Sequence, residues 1–497
     1  MPITACWKSI VKGGRAGTSR DCDRVDEGLT PLNEPPCCLT ARSFEGDYLM
    51  TETSGAGEAD IASEAAALRL AAVPADVVEI AVDCIIDTLA VAIGGSCDEV
   101  VKLVAEVAND SGRCTRLGDR ARVGPRSAAL VNGIAAHVLD FDDWLPVGGL
   151  HPSAPLLPAV WAQAEASAHP SSVDGGRLLA AYIAGFEAQA RIGAALAPRH
   201  YEAGFHPTAT VGVFGAATGV AHLLGLGPAG IQRAWGLAAT QAAGLRAVFG
   251  SMGKAMQVGR ASEAGLFSAQ LAAAGVTAPG DALFGPGGFA ATHGHAAAVE
   301  SVIVPFAERW YLREVLVKRH AACFGTHAAI DALLTLREGL DPRRVREIEL
   351  TVPELLRTVC AIPVATTPLE GKFSLAFTAA LALVRGSCQV MDFTHAAVLD
   401  PDLRSVAERV RIRFDAALRP QQTHVRVVLE GGTALHASAD SALPLTARER
   451  RAIVREKFHE LVGPVVGSER CTALIGAIEE LPDGSNVSTV TSLLRLE

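Results

Sequence analysis

Four short segments of this 497-residue chain carry ionisable side chains next to long apolar stretches. They are Leu139-Asp140-Phe141-Asp142-Asp143-Trp144 with His151-Pro152, Gly204-Phe205-His206-Pro207-Thr208, Gly250-Ser251-Met252-Gly253-Lys254, and Lys318-Arg319-His320 running on to Gly325-Thr326-His327. An ionised side chain left unpaired in an apolar interior is energetically costly, so such groups are either paired with an opposite charge or take part in function. Gathered in one pocket, these carboxylate, imidazole and ammonium groups would form a site for acid–base chemistry.

The acids Asp140, Asp142 and Asp143 follow a predicted helix that begins near Arg126. Carboxylates at a helix C-terminus face the unfavourable end of the helix dipole, so they do not serve the stability of that helix. A solvated loop is one interpretation, and carboxylate ligation of Mg²⁺ is another. Because the wider spacing of a known cation loop is missing, we assign no metal ligands.

His151 and His206 each stand directly before a proline at a predicted helix start. There the imidazole lies near the positive end of the helix dipole, which favours the neutral form and lowers the pKa. A neutral imidazole near pH 7 suits a general base. A capping or packing role is the alternative for each residue, and the recurrence of the pattern weighs against it.

Lys254 lies among small residues ahead of an apolar helix, so its ammonium group can point into a pocket and pair with a substrate carboxylate. A solvated surface position is the alternative. Phosphate-loop chemistry would need Gly in place of Val248 and Ser or Thr in place of Ala255, which excludes that kind of nucleotide site. His327 begins a helix in another predicted domain, which would place a shared site between domains.

The composition excludes several other classes. The chain is 49% hydrophobic and 20% charged, as soluble globular proteins are. Its 44 basic and 54 acidic residues give a net charge of −10, which argues against a nucleic-acid partner. A local cluster of Arg246, Lys254, Lys318 and Arg319 still permits an anionic substrate.

The 11 cysteines lack zinc-ligand spacing, and we expect reduced thiols in a cytoplasmic protein. No stretch has the pattern of a membrane span. Motifs of serine nucleophiles, zinc proteases and dinucleotide-binding proteins are missing from the sequence. Proton chemistry without a cofactor, on a small polycarboxylate, is the class that remains.

The periodicity of apolar residues predicts a mainly α fold. Helical spacing extends from about Ile61 to Gly294 and returns from Thr446 to the end. In between, residues 346–352, 410–414 and 424–429 alternate as strands do, and Gly431-Gly432 predicts a hairpin turn.

We therefore expect a large helical domain formed by both chain ends and an inserted, smaller α+β lid domain. The predicted boundaries are residues 55–315 and 441–497 for the helical domain and residues 316–440 for the lid. Residues 1–54 have no apolar period, which predicts a disordered extension, or an upstream start-site assignment with Met50 as the natural beginning.

The order of the polar motifs resembles that of the MmgE/PrpD family. The motifs are L-D-F-D-D, L-H-P-S-A-P, G-F-H-P-T, G-K-x-x-x-x-G, K-R-H with G-T-H, and K-F-S-L-x-F, and the likeness covers roughly residues 55–495. That family includes 2-methylcitrate dehydratase, cis-aconitate decarboxylase and iminodisuccinate epimerase. The resemblance implies a homodimer with a helical domain, an α+β lid and a site between them that uses no cofactor.

Carried over by position, the resemblance implies five catalytic residues: Asp140, His151, His206, Lys254 and His327. Two positions depart from the family pattern: Trp144 stands where Thr is common, and Phe377 where the family often has Tyr. A lost hydroxyl discriminates strongly among polar substrates, so the substrate of no single member is carried over.

We expect a cofactor-independent lyase, a dehydratase or decarboxylase of a small di- or tricarboxylate such as 2-methylcitrate or cis-aconitate. His206 and His151 are candidates for the general acid and base, Asp140 orients one of the basic groups, and His327 completes the pocket. The predicted substrate-binding residues are Lys254, Lys318, Arg319, Trp144, Phe377 and Thr208. An epimerase or isomerase in the same fold is one alternative, and a catalytically inactive binding protein, suggested by Trp144 and Phe377, is the other.

Overall fold

The computed structural model describes residues 56–167, 173–294 and 304–496; the extension predicted over residues 1–54 lies outside them. In the first part of the chain the α-helices are α1 Ala56–Ala67, α2 Ala75–Gly95, α3 Glu99–Val107, α4 Pro125–Val138, α5 Ser153–Ala166, α6 Gly175–Leu196, α7 Arg199–Glu202, α8 Pro207–Thr210, α9 Gly212–Leu223, α10 Pro228–Ala239, α11 Gly253–Ala273 and α12 Phe289–His293. A short antiparallel pair, β1 Cys114–Thr115 and β2 Arg122–Val123, precedes α4.

The second part of the chain contains the larger sheet. Its strands are β3 Val345–Pro353, β4 Val410–Asp415, β5 Gln422–Leu429 and β6 Ala434–Asp440. Its helices are α13 Phe324–Arg337, α14 Pro368–Gly371, α15 Leu375–Val384, α16 His395–Leu399, α17 Pro401–Ala407, α18 Ala447–Val466, α19 Ser468–Glu479 and α20 Val487–Leu494.

Glycine allows α4 and α11 to pack closely in the helical core. A Cβ atom at Gly259 of α11 would lie 2.3 Å from the carbonyl oxygen of Leu130 on α4, so no larger residue fits there without a shift of the helices. This close packing brings the C-terminal end of α4 beside the first turn of α11. The segments that carry Asp140 and Lys254 therefore meet.

The C-terminal helices return to the helical part, as predicted. Helix α18 packs along α2, and Lys457 Nζ lies 2.6 Å from Asp87 Oδ1 between them. Both ends of the described chain thus contribute to one helical core, and the expected fold class is confirmed. The individual domain boundaries stay predictions.

The larger sheet has the strand order β4-β3-β5-β6, with β3 and β4 parallel and the other pairs antiparallel. Ile348, Leu350 and Val352 of β3 are buried at alternate positions, in agreement with the predicted period of two. The hairpin between β5 and β6 turns at Gly431 and Gly432, whose φ angles of 96° and 90° suit glycine alone. Helix α13 packs on this sheet and against α15.

None of the described helices combines the length and apolar character that a membrane crossing requires. The seven cysteines of the described residues are free thiols, and all except Cys97 are buried.

Candidate active site

A cavity of about 450 Å³ adjoins the loop that follows α4. Its polar lining includes, among the predicted site residues, Asp140, His151, His206 and Lys254 from the helical part of the chain and Lys318 from the segment that leads into α13. Much of its apolar wall comes from Trp144, Phe249, Phe324, Leu356 and Phe373. The structure thus brings six of the predicted site residues to one cavity whose walls come from both parts of the fold.

Lysine side chains hold the loop after α4 at three successive carbonyl groups. Leu139 accepts from Lys372 at 2.5 Å, Asp140 from Lys318 at 2.8 Å and Phe141 from Lys457 at 2.9 Å. Carbonyl groups at the C-terminal end of a helix lack partners within the helix, and cations there are stabilised by the negative end of the helix dipole. The three contacts fix the backbone at Asp140, whose φ of +50° is the one positive value at a non-glycine residue in the described part of the chain.

The Asp140 carboxylate forms the centre of a buried ionic cluster. Its Oδ1 accepts from Lys254 Nζ at 2.7 Å and lies 3.1 Å from Lys318 Nζ. Burial raises the pKa of the Asp140 carboxyl, but the two ammonium groups outweigh burial and hold the pKa well below its usual value. An ionised Asp140 therefore fixes both lysines at the edge of the cavity.

His137, on the last turn of α4, joins this cluster although we did not predict it. Lys254 Nζ donates to His137 Nε2 at 2.8 Å, so His137 carries its proton on Nδ1, which donates to Asp142 Oδ2 at 2.7 Å. Burial and the positive charge of Lys254 hold the pKa of His137 well below its usual value. The available signal was its position one helical turn before Asp140.

His151 lies two residues before the first residue of α5, with Pro152 between them. Its Nδ1 lies 2.7 Å from the carbonyl oxygen of Asp143 and 3.4 Å from Asp142 Oδ2, and its backbone N–H donates to Thr208 Oγ1 at 3.1 Å. Burial lowers the pKa of His151 well below its usual value; Asp142 opposes this effect and Lys318 adds to it.

His206 is the residue directly before α8, with Pro207 in the first turn as predicted. Its Nδ1 lies 2.6 Å from Gln257 Nε2, and its ring makes an edge contact with Phe249 at 5.0 Å between centroids. Burial, with smaller effects of His137 and Lys254, holds the pKa of His206 well below its usual value. Both predicted histidines are therefore neutral near pH 7.

Asp142 and Asp143 lie outside the cavity lining and contact His137 and His151, respectively. Asp143 Oδ2 accepts from Ser153 Oγ at 2.5 Å, and the same hydroxyl lies 2.5 Å from the Tyr182 hydroxyl. Burial raises the pKa of the Asp143 carboxyl to about 7 and also raises that of Asp142. The Asp143 carboxyl group therefore keeps its proton up to near-neutral pH.

A three-ligand metal site could in principle be formed by His137, Asp142 and His151. One possible metal-ligand atom of each lies within 4.8 Å of those of the other two. Hydrogen bonds account for the same contacts. The Nδ1 atom of His137 donates to Asp142, and the Nδ1 atom of His151 donates to the Asp143 carbonyl. A cation would have to displace these protons, so we assign no metal to this cluster.

Four other predicted site residues lie outside the cavity lining. Arg319 pairs with Asp331, and Phe377 packs 6.2 Å from the ring of Phe393. Thr208 accepts from the His151 backbone, as described above. Helix α13 begins at Phe324, so His327 lies within this helix and not at its start, with its ring stacked on Phe324 at 4.7 Å. Thr208 and His327 therefore contact residues of the cavity lining, whereas the partners of Arg319 and Phe377 lie outside it.

Two family models match the chain. The MmgE/PrpD N-terminal domain matches residues 59–301, and the MmgE/PrpD C-terminal domain matches residues 320–481. Together the two matches cover most of the helical part and the sheet that carry the cavity. The chain belongs to the MmgE/PrpD family and is an enzyme of its lyase type.

Curated relatives are similar over most of their length. A cis-aconitate decarboxylase-like protein, oryM, of Aspergillus oryzae is 28% identical over 90% of this chain and 99% of its own. The cis-aconitate decarboxylase of Homo sapiens is 27% identical over 75% of this chain and 80% of its own. That of Aspergillus terreus is 26% identical over 85% and 92%, respectively.

Proposed function

We propose that this enzyme removes CO₂ or water from a small di- or tricarboxylate, such as cis-aconitate or 2-methylcitrate, by acid–base chemistry of its own side chains without a cofactor. The observation that supports the proposal is the convergence of two neutral imidazoles and two paired ammonium groups on a cavity of about 450 Å³. The names of the curated relatives favour loss of CO₂.

The two lysines would provide the binding energy for the substrate. Lys254 and Lys318 share the single carboxylate of Asp140, which leaves a positive balance at this edge of the cavity. A substrate carboxylate would restore neutrality there. The same charges would stabilise the enolate-like intermediate that forms when CO₂ or a proton leaves the carbon next to a carboxylate.

The two imidazoles would exchange protons with the reacting carbon atoms. His151 and His206 line the same cavity, and the ring of His137 lies 4.9 Å from the ring of His151 and 5.7 Å from that of His206. A neutral imidazole can accept a proton through one nitrogen and donate through the other, which makes the pair candidates for general acid and base.

The apolar wall would set the size and shape of the substrate. The Trp144 ring stacks on Phe324 with 4.7 Å between ring centroids, and both residues line the cavity. Where the family commonly presents a hydroxyl, this cavity presents an aromatic surface, which favours a substrate with an apolar portion beside its carboxylates.

Incubation with 2-methylcitrate, citrate, cis-aconitate and iminodisuccinate, followed by mass spectrometry, tests the proposal. We expect an unsaturated acid of lower mass, with CO₂ or water released. A product of unchanged mass would instead identify an epimerase or isomerase. Calorimetric binding without turnover of any of these acids would favour the binding role and contradict catalysis.

The homodimer implied by the family resemblance and the cytoplasmic location also stay predictions. Light scattering of the purified protein tests the first, and cell fractionation tests the second.

A further inference from the structure

We propose that Gln257 is a positioning residue that holds neutral His206 with its proton on Nε2, so that His206 donates a hydrogen bond into the cavity while His151 accepts a proton there. The proposal rests on the function proposed above for the same site. It adds a division of labour between the two histidines and a residue that enforces it.

The orientation of the Gln257 amide follows from its contacts with one backbone unit. The Leu245 N–H donates to Gln257 Oε1 at 2.8 Å, and Gln257 Nε2 donates to the Leu245 carbonyl at 3.3 Å. The reversed amide would place two oxygens together and two N–H groups together. The nitrogen atom of this side chain is therefore identified by its contacts.

The segment that holds this amide is itself fixed next to His206. The backbone N–H of His206 donates to the Gly244 carbonyl at 3.1 Å, and that of Arg246 donates to the Gly204 carbonyl at 2.9 Å. These two bonds flank the antiparallel pairing of Phe205 with Leu245. Gln257 and the imidazole of His206 are thus held in register by backbone contacts on both sides.

The same Gln257 Nε2 lies 2.6 Å from His206 Nδ1. An amide N–H only donates, so Nδ1 must accept and the proton of the neutral ring resides on Nε2. No described residue forms a hydrogen bond with this Nε2 atom, and His206 lines the cavity. A second proton on Nδ1 would face the amide N–H, so Gln257 also opposes formation of the imidazolium ion.

His151 has the opposite arrangement. A carbonyl oxygen only accepts, so the contact with the Asp143 carbonyl at 2.7 Å places the proton of His151 on Nδ1 and leaves the lone pair on Nε2. If Nε2 takes up a proton, the Nδ1 contact survives and Asp142 Oδ2 lies 3.4 Å away to balance the charge. This ring accepts a proton without losing a hydrogen bond.

The other charged and titratable groups around His206 do not supply an acceptor for Nδ1. They are His137 on α4, Asp140 in the loop after it, Lys254 on α11, and Arg246. Lys254 and Asp140 already bond each other, and Arg246 donates to the carbonyl of Tyr201 and to Thr358. The Gln257 amide is the group that bonds the Nδ1 atom of His206 in the described structure.

Nitrogen NMR of the full chain labelled with ¹⁵N-histidine tests the proposal without any substrate, because protonated and unprotonated ring nitrogens differ widely in chemical shift. His206→Gln and His151→Gln spectra assign the two signals. We expect a protonated Nε2 on His206 and a protonated Nδ1 on His151 at pH 7. A protonated Nδ1 on His206 in the unsubstituted protein would overturn the proposal.

The variant Gln257→Glu provides the second readout. A carboxylate accepts from an imidazole N–H, so His206 should move its proton to Nδ1 and lose its donor in the cavity, and turnover should fall about 100-fold. Gln270→Glu on the same helix, where the amide contacts Gln163, is the matched control and should change neither quantity. Unchanged His206 signals in Gln257→Glu would contradict the assignment. If the unsubstituted protein has the expected protons but converts none of the acids, the proposed function fails and the positioning role stands.

Discussion

The two histidine–proline segments have the same local sequence pattern but different surroundings. His151 faces acceptors, namely the Asp143 carbonyl and the Asp142 carboxylate, whereas the Nδ1 atom of His206 faces a donor, the Gln257 amide. The first environment tolerates an added proton and the second opposes it. The repeated motif therefore provides one histidine that readily takes up a proton, His151, and one that resists a second proton, His206. The difference arises because different tertiary partners surround each copy.

The largest expected effect separates the two histidines. Glutamine offers a donor near the position of Nε2 but cannot act as a base at neutral pH, so His151→Gln should lower turnover by about 10²–10⁴-fold. His206→Gln should cause a smaller loss because it keeps a donor in the cavity. Steady-state kinetics of both variants measures this difference, and His424→Gln, on the exposed face of β5, is the control. Equal losses at the two positions would contradict the division of labour.

Lys254 influences both sides of the comparison because its charge lowers the pKa of His151 and of His206. Lys254→Met should reduce turnover by about 10²–10³-fold, since it removes a charge that stabilises the intermediate. NMR titration should show both histidines with higher pKa values than in the unsubstituted protein. The exposed Lys102→Met on α3 is the control. Unchanged titration together with normal turnover would place Lys254 outside the site.

The smallest effect on turnover is expected for Asp143→Asn, because the contact to His151 uses the backbone carbonyl and not the side chain. The folded-state pKa of Asp143 is raised from 3.8 to about 7, so its contribution to stability is present below pH 3.8 and is lost as the pH rises through about 7. Relative to the unsubstituted protein, the variant should therefore gain stability between pH 5 and pH 8.

Urea unfolding at these two pH values measures that gain, which is of the order of 1.4 kcal/mol for each pH unit between pH 5 and the folded-state pKa of Asp143. Asp402→Asn, exposed in the first turn of α17, is the control and should show no such gain. A variant that loses stability relative to the unsubstituted protein as the pH rises would show that the Asp143 side chain is ionised in the folded protein.

Local patterns predicted the elements of this fold well. Apolar residues recur at helical steps over Ser153–Ala166, and helix α5 has the same bounds, because helical periodicity and a proline near the start are local properties. The same spacing over residues 208–223 indicates a single helix, but the structure divides it into α8 and α9 at Val211. The short strands β1 and β2 have two residues each, too few for a period, and were not predicted.

The candidate site could be predicted where an ionisable side chain lies in an otherwise apolar segment, as is the case for Asp140, His151, His206 and Lys254. His137, Gln257 and Lys372 could not be predicted in this way. The contact of His137 with Lys254 joins residues 117 positions apart and depends on the close packing of α4 on α11. Tautomers are likewise set by such distant partners, so the sequence left the acid and base assignments open.

Conversion of the acid panel in D₂O, by the unsubstituted enzyme and by His151→Gln, tests the central claim most directly. If one cavity removes CO₂ and His151 takes up a deuteron from the solvent on Nε2 and passes it to the substrate carbon, the unsubstituted enzyme should yield a lighter unsaturated acid with one carbon-bound deuterium, and the variant should yield almost none. A His151→Gln enzyme that forms the same deuterated product at the unsubstituted rate would contradict the account.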